Sequence, residues 1–188
     1  MAPFVGLTGG LGAGKSEALR LLGELGAATL STDAVVHELL STADVQDSLA
    51  HRFGADVASD RAKIAERVFG DEEARAWLEA LLWPLVGERV GAWRSSVPAD
   101  QIAVVEVPLL FESGMEAVFD ATIAVIADES LREERAAARD HVAVAERSGR
   151  QLSQQEKADK ADFTVRNDGS LEELKQTLSR VIAKLEPT

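Results

Sequence analysis

The sequence predicts an α/β fold built on a parallel sheet, and three observations carry that expectation. An apolar run, Phe4-Val5-Gly6-Leu7, leads directly into the glycine-rich turn Gly9-Gly10-Leu11-Gly12-Ala13-Gly14-Lys15-Ser16. Behind that turn Ala18, Leu19, Leu21, Leu22 and Leu25 keep one helical face apolar until Gly26 supplies a stop. Four more short apolar runs alternate with helical periodicity down the chain, the pattern of strands joined by crossover helices.

The turn spells GxxxxGKS from Gly9 to Ser16, the P-loop signature. Its glycines let the backbone take positive φ and approach a ligand closely. The amides then converge on an anion, with the positive end of the following helix behind them. Lys15 brings a compact charge for β- and γ-phosphate oxygens, and Ser16 a hydroxyl for Mg²⁺. A dinucleotide-binding reading fails, because GxGxxG does not fit and Lys15-Ser16 would have no task.

Each further element follows in order. Ala28 to Thr32 is expected as a second strand, with Asp33 where strand gives way to helix, equally suited to a ligand-facing carboxylate and to an N-cap. The helix from Ala34 to about Leu40 would turn Val36, Leu39 and Leu40 inward, leaving His37 as a surface residue. From 41 to 97 the pattern is helical, with Leu78, Leu81, Leu82, Leu85, Val86, Val90 and Trp93 as a core stripe and Pro84 expected to kink or split it. The three tryptophans are expected to pack rather than stack on bases. So much helix between two strands suggests an inserted subdomain.

Ile102 to Val107 is a third strand running into Pro108-Leu109-Leu110-Phe111-Glu112, either a simple turn or a pocket wall at Phe111. Thr122 to Ala127 is a fourth. The helix after it carries Arg132, Arg135 and Arg139 on one face, either solvated beside glutamates or a lid for transferring phosphate. Ser153 to Lys160 is a short polar helix and Phe163 to Val165 a fifth strand. Asn167-Asp168-Gly169 is a turn, and Ser170 with Glu173 a capping box for a last helix whose Leu171, Leu174, Leu178, Val181, Ile182 and Leu185 face inward.

Composition narrows the function. Twenty Lys and Arg against 32 Asp and Glu leave a net charge of −12, which argues against a nucleic-acid partner but not against a nucleotide substrate. No cysteine is present, which excludes disulfides and thiolate chemistry and suits a reducing cytoplasm. No apolar run approaches the roughly 18 residues of a membrane span. A cytoplasmic monomer away from membranes is expected.

With these residues in place, the chain resembles the dephospho-coenzyme A kinase family from end to end. The stretch Gly6 to Ser16 is similar to that family's GLTGGIGSGKS, with Ala13 for a usual Ser. Asp33 with His37-Glu38-Leu39, Asp60-Arg61 with Val68-Phe69, Pro108 to Glu112, the paired Arg135 and Arg139, and the Asn167 turn match its other motifs. The resemblance implies a P-loop fold with a five-stranded parallel core (about 1–40 and 98–188), a helical substrate insertion (about 41–97) and a helical lid (about 129–160). It implies transfer of the ATP γ-phosphoryl group, with Mg²⁺, to the ribose 3′-hydroxyl of dephospho-coenzyme A.

The roles carry over by position. Asp33 orients the acceptor hydroxyl and takes its proton, Lys15 serves the β/γ oxygens, and Arg139 meets the transferring group. Gly10, Gly12, Ala13, Gly14, Lys15, Ser16 and Glu17 hold ATP, with Ser16 on the metal and Asn167 at the adenine. Thr8, Asp33, His37, Arg61, Leu109, Leu110 and Arg135 form the acceptor side. Departures are Ser31 for a frequent Asp, Glu17 for a common Thr, Trp83-Pro84 for a frequent His-Pro, and Ser148 for an apolar residue. The rivals are another small-molecule P-loop kinase, and a GTP switch, for which DxxG and NKxD are both missing.

Overall fold

The computed structural model of the chain describes residues 2–137 and 151–185. Five strands, β1 (Phe4–Gly9), β2 (Ala28–Ser31), β3 (Ala103–Glu106), β4 (Ala121–Ile126) and β5 (Phe163–Arg166), form one sheet in the order β2-β3-β1-β4-β5. Every pairing is parallel, as the alternation of strands and helices predicts. β1 is central, with Leu7 in register with Glu106 on one side and Ile123 on the other. Chain order reverses at this strand, so its carboxyl end is the switch point where open α/β sheets bind ligands.

All of β3 and β4 is buried, because a parallel sheet is covered on both faces and favours unbroken Val and Ile runs. On one face α1 (Lys15–Glu24) buries Ala18, Leu21 and Leu22. The last helix, α9 (Leu171–Leu185), buries Leu174, Leu178, Val181 and Leu185 and packs on α1. Its capping box forms: Glu173 N donates to Ser170 Oγ at 3.3 Å and Ser170 N to Glu173 Oε2 at 2.7 Å. Leu171, expected inward, is 55% exposed. It opens the helix, so its side chain falls beyond the core. Also on the sheet unit are α7 (Glu129–Ala137) and α8 (Gln154–Lys160), the latter opened by a second capping box between Ser153 and Glu156.

The chain divides into two compact units, Met1–Ser31 with Arg94–Thr188, and Thr32–Trp93. The second is helical: α2 (Thr32–Leu39), α3 (Ala43–Phe53), α4 (Ala55–Ala58), α5 (Arg61–Val68) and most of α6 (Glu72–Ser96). Phe53 meets Trp77 edge-on at 5.2 Å, and Arg52 pairs with Glu73 at 2.7 Å, so the end of α3 is held to the start of α6.

Four expectations within this unit are corrected. Helix α2 begins at Thr32, so Asp33 lies in its first turn rather than at the N-cap. On this helix Val35 is buried with Leu39 and Leu40, and Val36 only in part. Pro84 does not split α6, which runs on to Ser96. Pro84 and Ala80, whose carbonyl loses its helical donor, are both exposed, so water can take the missing place. Trp83 is 53% exposed rather than packed. No helix among the described residues is long and apolar enough to cross a membrane.

Candidate active site

The site is built from the turn between β1 and α1. Gly12 and Gly14 have φ of +72° and +92°, in the left-handed region that favours glycine. A Cβ on Gly14 would lie 2.1 Å from Asn167 Nδ2, and one on Gly12 2.4 Å from the Arg132 carbonyl oxygen. The glycines therefore serve close packing as well as conformation. Ala13 is wholly buried, and its carbonyl accepts from Asn167 Nδ2 at 2.9 Å. Asn167, just beyond β5, thus braces the loop from across the sheet. Lys15 Nζ donates to the carbonyls of Gly9 and Gly10, each at 3.1 Å, lying across the loop it belongs to. Ser16 is exposed on the first turn of α1.

Two arginines of α7 reach the same edge. Arg132 Nε donates to Leu11 O at 2.9 Å, with its guanidinium beside Gly10, and Arg135 donates to Asn167 O at 3.1 Å. Both are half-buried, while Glu133 and Glu134 on the other side of α7 are exposed. Gly12, Gly14, Glu17, Arg135, Asn167 and Leu171 line a cavity of about 620 Å³. Glu17 does not present a bare charge there. Arg20 donates to its carboxylate from Nε at 3.0 Å, and that hydrogen bond holds the Glu17 carboxyl below its usual range.

At the neighbouring end of β3 the picture is drier. Thr8 is fully buried, and its hydroxyl donates to Pro108 O at 3.3 Å. Leu110 is fully buried over Gly6, so it can offer a ligand no side chain, whereas Leu109 is partly exposed. Beneath them sits Lys157 of α8, which sequence reasoning missed. Its side chain is 0% exposed and pairs with Glu112 at 2.9 Å. Burial pushes its pKa down, opposed by the hydrogen bond and charge of Glu112. The polar run Gln154 to Lys160 carries no sign of this, because a lysine among charged neighbours looks like a solvated face.

In the helical unit Asp33 lies two residues beyond the end of β2, exposed in the first turn of α2. The structure brings His37 and Arg61 together through a hydrogen bond between Arg61 Nη1 and His37 Nδ1. Asp60 accepts from Ala62 N at 2.9 Å and so caps the helix that Arg61 opens. Arg139 and Ser148 lie outside the described residues.

Comparison with known proteins agrees with this geometry. The profile of the family described as CoaE, Dephospho-CoA kinase, matches residues 3–173. A Dephospho-CoA kinase of Deinococcus radiodurans is 38% identical over 192 residues, covering 98% of this chain and 93% of its own. One of Protochlamydia amoebophila is 36% identical over 193 residues, covering 96% and 95%. A crystal structure from Thermus thermophilus superposes with a TM-score of 0.82 at 32% identity over 97% of each chain. A P-loop braced at the switch point of a five-stranded parallel sheet, matched along nearly its whole length, places this chain in the dephospho-CoA kinase family.

Proposed function

We propose that the chain transfers the γ-phosphoryl group of ATP to the ribose 3′-hydroxyl of dephospho-coenzyme A, releasing ADP and coenzyme A. Membership of the family makes it an ATP-dependent kinase. The observation that carries the nucleotide side of this reading is the cavity beside the P-loop, where Arg135 and the Asn167 brace flank the glycine turn. A nucleotide seated there would direct its phosphates toward the start of α1 and its base toward Asn167.

Phosphoryl transfer spreads charge over oxygens in a loose transition state, so the protein mainly aligns partners and supplies positive charge. Lys15 and the first-turn amides of α1 serve the β and γ oxygens. Asp33, in the first helical turn of α2, aligns the acceptor hydroxyl and takes its proton late. Arg139 is the cation we assign to the transferring group. His37, Arg61 and Leu109 attend the acceptor, while Thr8 and Leu110 shape its wall from within.

Mg²⁺ fits the residues present. It takes hard oxygens and usually keeps only one or two protein donors beside phosphates and water, and Ser16 offers an exposed hydroxyl next to Lys15. Bound there, the ion would neutralise charge on the β and γ oxygens. The lack of cysteine suits a reducing compartment, and we place the reaction in the cytoplasm.

The test is ADP release by the purified protein with ATP and Mg²⁺, offered dephospho-coenzyme A, AMP, adenosine or no acceptor. Turnover with dephospho-coenzyme A alone, with coenzyme A identified by mass, is the expected result. Turnover with AMP alone would replace the acceptor assigned here.

A further inference from the structure

We propose that Lys157 is a positioning residue for the acceptor side of the reaction, acting through Thr8, Pro108 and Glu112 without touching either substrate. The proposal rests on the kinase reading above. The Lys157 ammonium donates to Pro108 O at 2.6 Å, pairs with Glu112 Oε1 at 2.9 Å and reaches Thr8 Oγ1 at 3.5 Å. These acceptors belong to two segments that, with α8 itself, meet at the ligand edge of the sheet. Thr8 is the residue before Gly9, where the P-loop opens. Pro108 lies two residues beyond β3, next to Leu109, and Glu112 closes the same turn.

The arrangement cross-links these segments. Thr8 Oγ1 donates to the same Pro108 carbonyl at 3.3 Å, so one ammonium and one hydroxyl tie the ends of the adjacent strands β1 and β3. Glu112 Oε1 also accepts from Leu152 N at 2.8 Å, which adds the approach to α8. Its other oxygen, Oε2, is buried without a hydrogen-bond partner among the described residues.

A buried ion pair adds little net stability, since desolvating two charges offsets their attraction, and apolar residues of similar volume often hold a fold as well. Such residues have no donors with which to hold Pro108 O and Thr8 Oγ1 in place. The three-way contact therefore accounts for a lysine here better than stability does. Moving the turn would shift Leu109, and with it the acceptor, while the Asn167 brace on the nucleotide side would stay as it is.

The experiment compares the wild type with Glu112→Gln and with the double variant Lys157→Met/Glu112→Leu, by urea unfolding and by steady-state kinetics. The double variant is expected to keep the wild-type urea midpoint and a KM for ATP within about threefold. Its kcat/KM for dephospho-coenzyme A should fall about 10- to 100-fold, the scale of an ångström-level misplacement. A folded double variant with wild-type kcat/KM, or one whose loss is shared equally by ATP, overturns the proposal. If the double variant does not fold, Glu112→Gln decides: the same selective loss supports the role, and unchanged kinetics overturn it. A wild type inactive on dephospho-coenzyme A would overturn the kinase reading instead. Positioning is then read from the amide chemical shifts of Thr8 and Leu109 in Glu112→Gln, and unmoved shifts would refute it.

Discussion

Gly14 lies so close to Asn167 that it has no room for a side chain while Asn167 stays in place. An alanine at Gly14 would hold φ near +92° against its preference and drive a methyl into Asn167 Nδ2. The strain alone is about 1–3 kcal/mol. Gly14→Ala is therefore expected to weaken ATP binding about tenfold or more, each tenfold being about 1.4 kcal/mol, as read by nucleotide titration. Asp33 is the contrasting case, since it is exposed and its substitution leaves the core alone. Asp33→Asn should retain ATP binding and lower kcat by about a hundredfold or more, the lower end of what a general base contributes. An Asp33→Asn enzyme with wild-type turnover would remove the acid–base role. At this scale the sequence identified the P-loop turn well, because glycine, lysine and serine are spaced by local backbone geometry. It missed Lys157, whose acceptors on Pro108 and Glu112 are 49 and 45 positions away in the chain.

Among the elements, α1 joins site and core. It begins at Lys15, and its Ala18, Leu21 and Leu22 face buried partners, with α9 packed alongside. Leu178 lies on the buried stripe of α9 and is 0% exposed. Leu178→Ala should cost about 2–5 kcal/mol, lowering the urea midpoint, through lost burial and the cavity left behind. Leu171→Ala, on the same helix but 55% exposed, should fall within about 0.5 kcal/mol of the wild type. Equal losses for the two would mean that the stripe is drawn wrongly. Periodicity named both leucines as inward. Only the position of the helix start against the sheet separates them, and periodicity does not carry that. The same limit explains Asp33: α2 starts two residues earlier than expected, so Asp33 lies in its first turn rather than at the cap, and its buried face carries Val35 in place of Val36.

For the molecule as a whole, several hydrogen-bonded carboxylates set the acid limit. Glu156 and Glu173 are held below the usual glutamate value of 4.5 by hydrogen bonds from Ser153 and Ser170. Asp168 is held below the usual aspartate value of 3.8, first by Arg166, and Asp71 likewise, first by the Ala74 amide and then by Arg67. Because each folded value lies below its unfolded one, their stabilisation is present in full above pH 4.5 and is lost as pH falls through the folded values. Urea midpoints should therefore hold from neutral pH down to about 5 and decline below 4.5. A midpoint that rises with acid would contradict the sign. The sequence by itself determined the parallel α/β class, the five strands, the P-loop turn and the family resemblance. These rest on local rules of strand and helix periodicity and of tight-turn chemistry, which act over a few residues. The tertiary structure alone decided the strand order, the bond from Asn167 to the Ala13 carbonyl, the burial of Leu110 and the ion pair of Lys157 with Glu112. Each of these depends on residues far apart in the chain meeting once the sheet has closed, and no local pattern records that.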